Sequence, residues 1–178
     1  MKRFASLRYD GVLAPRERDE TTRSLASAGI AVTSWNAAAG RTYARVTLPA
    51  SLSSATELPG RIDEPPLVVL RVIPDAPPGL ALVHDALAGP GRPLGVVDAR
   101  LDDDTLVVEL DASRTPLALL VAVVDIAIGA AAKRRIEPLL PLDDATLSAF
   151  AGALLGEPDL DSSRLIETHL EPLIGAPV

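Results

Sequence analysis

Residues 67–73 read LVVLRVI, an apolar run broken only by Arg71. A run of this length without alternation predicts a strand covered on both faces and central in its sheet. Working outward from it, Pro77 and Pro78 open a helix that runs through Ala88 and is closed by Gly89-Pro90-Gly91. Residues 94–101 (LGVVDARL) and 105–111 (TLVVELD) predict the two strands of a hairpin joined by Asp102-Asp103-Asp104, with Leu106, Val108 and Leu110 alternating against Val107 and Glu109. Ser113-Arg114-Thr115-Pro116 places a hydroxyl cap before a first-turn proline and starts a helix to about Ala132. Residues 134–140 predict a last strand, put at an edge by Pro138 and Pro141, since a missing amide donor is tolerated there. Strand, helix, strand, strand, helix, strand is the split βαβ order of ferredoxin-like domains. The predicted fold class is therefore α+β, with a ferredoxin-like βαββαβ unit over residues 67–142.

The first part of the chain spells a similar string. Residues 3–10 read as a strand and 14–28 as a very polar surface helix, with Pro15 early, Gly29 at its end and a thin contact stripe around Leu25. Two strands, 30–36 and 41–48, flank an AAAG connection and predict a hairpin. Residues 1–62 are thus expected to be a βαββ subdomain or a degenerate repeat of the later unit. The Pro- and Ser-containing stretch 49–66, with one short helix around 51–58, is the expected boundary between halves. At the other end, 144–155 and 161–174 predict two amphipathic helices, each preceded by an aspartate cap. Leu147, Phe150 and Leu154 form the stripe of the first, and Leu165, Leu170 and Leu173 that of the second. This pair, residues 143–178, is expected to pack on the core or to dock on a partner.

Composition excludes several chemistries. The 178 residues contain no cysteine, which removes thiol catalysis, Cys-based zinc sites and iron–sulfur clusters. Arginine and lysine number 17 against 24 acids, for a net charge of -7, which argues against general binding to nucleic acid or to an anionic membrane. Five aromatic side chains give little with which to stack bases. The start, MKRFASLRYDG, has no apolar run behind its basic residues, so it does not read as a secretory signal and the expected location is cytoplasmic. Residues 116–132, PLALLVAVVDIAIGAAA, are apolar on all sides apart from Asp125. A membrane span there would be at the short limit and would carry a costly mid-span aspartate, so a helix buried by the fold or by a partner is expected instead.

Motifs for catalysis are absent: there is no GxSxG, SxxK, HExxH, Walker loop or GxGxxG. His84 is followed by Asp85, but neighbouring helix residues point about 100° apart, so no paired dyad is expected. His169 lies near the chain end and Ser113 reads as a cap. The acidic triplet 102–104 reads as a solvated hairpin turn rather than a cation site. No metal and no cofactor is expected. One cluster remains as an anion-binding or interaction site: Arg41, Tyr43 and Arg45 alternate onto one face of their strand, where guanidinium groups can clamp carboxylate or phosphate. The competing reading of that face is a solvated outer surface. These observations point to a non-catalytic interaction or assembly module with a protein partner or a second copy. The alternative is a small-molecule-binding or enzymatic ferredoxin-like domain working through arginine and carboxylate side chains.

Overall fold

The computed structural model describes residues 3–52, 58–74, 79–111, 113–114 and 134–145. The expected helices over 116–132 and 161–174 lie outside the described residues, as does the expected 144–155 helix beyond its first two residues, which are helical; so do most of the expected turn of helix around 51–58 and the six docking candidates Leu147, Phe150, Leu154, Leu165, Leu170 and Leu173. Among the described residues no helix is long and apolar enough to cross a membrane. The chain is α+β and divides into two units, Met1–Leu67 and Val68–Val178.

Unit 1 contains β1 (Arg3–Asp10), α1 (Pro15–Ser27), β2 (Ala31–Ala38), β3 (Arg41–Leu48) and β4 (Arg61–Asp63), in the antiparallel sheet order β2-β3-β1-β4. Proline at the first position suits α1 because its missing N–H would be unpaired there anyway. The backbone N–H of Ala14 donates to the Glu17 carboxylate at 2.6 Å and closes that end. Leu25 is the buried residue of α1, as its polar sequence requires. It joins Ala5, Leu7, Ile30, Ala44, Val46 and Leu48 in the core, with Tyr9, Val32, Trp35 and Ile62 packed against them. Trp35 Nε1 donates to Thr22 Oγ1 at 3.2 Å and ties β2 to the helix.

Three expectations change here. The hairpin connection is shorter than AAAG: β2 continues to Ala38, and the turn is Ala39-Gly40, both at positive φ, which matches the twist of the flanking strands. β4, within the stretch read as a boundary, pairs with β1 through Ser6↔Asp63, Leu7↔Ile62 and Arg8↔Arg61. Three residues carry no readable period, so nothing local announced it. Finally, the face of β3 read as solvated is not: Tyr43 is 0% and Arg45 2% exposed. Arg45 is opposite Ser6 on β1 and Ser34 on β2. These small neighbours leave room for its long side chain, and its Nη2 donates to the Leu67 carbonyl at 3.2 Å.

Unit 2 holds β5 (Leu67–Pro74, whose first residue closes unit 1), α2 (Leu80–Ala88), β6 (Val96–Asp102), β7 (Thr105–Asp111) and β8 (Arg134–Pro138), in the order β6-β7-β5-β8. β5 is interior, as its apolar run with the single break at Arg71 implies, and β8 is an edge strand antiparallel to it. Leu80, Val83 and Leu87 recur at helical spacing and are the buried side of α2. On β7 every residue from Leu106 to Leu110 is buried, Glu109 included.

Candidate functional site

The site is built at the end of β1 in unit 1. Alternation along the strand sends Arg8 and Asp10 to one face and Tyr9 to the other. Antiparallel pairing sets Asp10 beside Arg41 on β3, and Arg8 beside Arg61 on β4. Gly60 stands just before Arg61, the first residue of β4, and a cleft of about 390 Å³ opens here, lined by Arg8, Tyr9, Asp10, Leu13, Arg41, Gly60 and Arg61. Leu13 is held over it by hydrogen bonds of the connecting loop: its N–H donates to Thr42 Oγ1 at 2.8 Å, and that hydroxyl donates to the Gly11 carbonyl at 2.9 Å.

The guanidinium groups are ordered by carboxylates. Arg41 Nε lies 3.3 Å from Asp10 Oδ1. Asp63 bridges two cations, with Arg61 Nε 3.3 Å from Oδ1 and Arg8 Nε 3.9 Å from Oδ2. Arg8 and Asp63 are nearly buried, whereas the Arg61 side chain is 67% exposed. Three guanidinium groups and the Asp10 carboxylate line the cleft, in a chain whose net charge is -7. Tyr9 forms the neutral wall. Its ring stacks at a tilt on Trp35, 5.8 Å between centroids, and burial pushes its phenol up to about 12.

Of the three residues proposed from the sequence, Arg41 lines this cleft, while Tyr43 and Arg45 are buried elsewhere on the same face and do not line it. Arg8 and Arg61 were missed. The signal for Arg8 was its place in a strand that alternates, and for Arg61 the Pro59-Gly60 turn just before it. Neither reveals convergence without the β1–β3 and β1–β4 pairing. No family model matches the chain, and no curated protein matches it. Among solved structures it is similar to an unknown protein from Galdieria sulphuraria, at 16% identity over 79% of this chain and 100% of that one, with a TM-score of 0.34. A likeness of that size bears on neither fold nor activity.

In unit 2 one expectation is reversed. His84 Nδ1 and Asp85 Oδ1 are 3.1 Å apart. The directional offset of adjacent helix residues is closed by side-chain rotation at the surface, where Asp85 is largely exposed. Ser113 Oγ donates to Asp111 Oδ1 at 2.6 Å, a local turn contact; the helix it was read as capping lies outside the described residues. The acidic triplet forms the β6–β7 turn, and among the described residues no group of His, Asp and Glu is arranged to hold a metal ion.

Proposed function

We propose that this protein is a small-molecule-binding module, made of two ferredoxin-like units in tandem, whose first unit clamps an organic anion in the Arg8–Arg41–Arg61 cleft. The observation that carries the reading is the convergence of three arginines, from three strands, on one cavity of ligand size. Planar guanidinium forks match carboxylate and phosphate oxygens, and a partly desolvated cleft strengthens such bonds. No residue is assigned a catalytic role.

The tandem part of the reading is supported by topology. Each sheet keeps its first strand between its third and fourth, as the split βαβ order requires. The same offset separates Arg3 from Leu67 at the start of the first strands, Arg41 from Thr105 at the start of the third, and Thr33 from Val97 at the register shifts of the second. Just after those shifts, Ser34 pairs with Arg45 and Asp98 with Glu109. Arg45 and Glu109 therefore occupy equivalent places, and both are buried.

Thermal-shift measurements on the full chain with a panel of carboxylates and phosphates test the proposal. A ligand that binds only the folded state raises Tm, and the rise is expected to shrink in Arg41→Gln and at high salt. A panel without any shift would sink it. A second reading, the assembly module expected from the sequence, draws on unit 2, where Leu82 and Leu94 are about two-thirds exposed. Light scattering after size exclusion decides that one: a monomer at all concentrations counts against self-assembly.

A further inference from the structure

We infer that Asp10 is the resident counter-ion of the unit 1 cleft: its carboxylate engages Arg41 until an incoming anion displaces it, and it thereby sets the affinity of the site. The inference rests on the anion-binding reading above and adds the residue that regulates that site.

The two acids paired with the cleft arginines are built differently. Asp63, with its side chain 12% exposed, reaches Arg8 and Arg61 and does not line the cleft. Drawing such a carboxylate away from its partners would leave charge buried, which is costly. It belongs to the frame. Asp10 does line the cleft, its side chain is 91% exposed, and its Oδ1 accepts a hydrogen bond from Arg41 Nε at 3.3 Å. An exposed carboxylate returns to water when it leaves its partner, so a pair of this kind is weak.

Displacement needs no change of backbone. Asp10 is the last residue of β1 and pairs with Arg41, the first of β3. The next residue, Gly11, donates its N–H to the Gly40 carbonyl at 3.0 Å. With the main chain held there, the carboxylate moves by rotation about its own side-chain bonds, which is fast at an exposed position. Arg41 differs: only 14% of its side chain is exposed, so packing keeps the guanidinium at the cleft once the carboxylate has left. What remains is a charged donor suited to carboxylate or phosphate oxygens. Asp10 and the ligand thus compete for one cation, and the fraction of molecules in which Asp10 has swung away scales the apparent affinity.

Chemical-shift titration of the full chain with acetate and with inorganic phosphate, at matched ionic strength, tests the inference. Asp10→Ala removes the carboxylate at a surface position that does not threaten folding. It should tighten both anions by about two- to sixfold, the range that follows from the strength of an exposed ion pair. The gain must pass through Arg41. In an Arg41→Gln background Asp10→Ala should therefore bring no gain, whereas an acid acting only through its long-range field would bring the same gain there. Unchanged or weaker binding by Asp10→Ala, or an equal gain without Arg41, overturns the inference while anion binding itself stands. Absence of binding by both anions, in the parent and in Asp10→Ala alike, overturns both.

Discussion

Gly60 presses on the ring of Tyr9: a Cβ built on the glycine would fall 2.7 Å from Tyr9 Cε1, and the backbone there sits at φ +92°. Glycine is thus required twice over, by the conformation and by the space. The contact joins the residue just before the unexpected β4 to the strand that carries the cleft, so that β4 cannot close on β1 around a larger residue.

Gly60→Ala is accordingly expected to destabilise unit 1 by about 2 kcal/mol, from strain plus overpacking. Trp35 is the single tryptophan of the chain and belongs to unit 1, packed against Tyr9. Its fluorescence during urea unfolding reports this change directly. An unchanged midpoint would mean that the Tyr9 ring gives way freely.

Tyr9→Phe should move stability the other way. The hydroxyl is buried and makes no hydrogen bond among the described residues, and an unsatisfied buried polar group costs about 1–3 kcal/mol. Removing it is expected to add about 1 kcal/mol. The sign with pH follows from a phenol raised from 10.0 to about 12 in the folded state. Between those values the unfolded chain loses its proton first, so this contribution is complete below pH 10 and is lost as pH rises toward 12. The parent should lose stability across that window and Tyr9→Phe should lose less, as read by urea midpoints at several alkaline pH values.

Leu25→Ala removes the buried anchor of an otherwise polar helix. The expected cost is about 2–5 kcal/mol, the range for a leucine deleted from a packed core. A loss below about 1 kcal/mol in chemical denaturation would show that α1 adds little to the unit.

Ala39→Asn is expected to stabilise. Ala39 adopts φ 48° in the two-residue turn before Gly40, and asparagine tolerates that region where alanine is strained. A gain of about 1 kcal/mol should appear as a higher Tm with unchanged anion response. Asp103, at φ 50° in the β6–β7 turn, gives the converse case: Asp103→Ala should cost about 1 kcal/mol, whereas Asp103→Gly should be nearly neutral.

Local chemistry was enough to fix much of the fold. The alternation of Thr42, Ala44, Val46 and Leu48, the apolar run from Leu67, the Asp-rich turn before Thr105 and the Pro15-to-Gly29 span are each contained within about fifteen residues, and strand or helix periodicity is a property of such a window. The cleft was not legible, because its arginines stand at positions 8, 41 and 61 and meet only through the β1–β3 and β1–β4 registers. Register is decided by which faces the whole unit buries, and a strand as short as Arg61–Asp63 acquires its pairing from the neighbour it joins rather than from its own side chains. The same holds for Tyr43 and Arg45. Alternation put them on one face of β3, but their burial was decided by tertiary packing, which gave Arg45 two serine neighbours and a carbonyl to donate to.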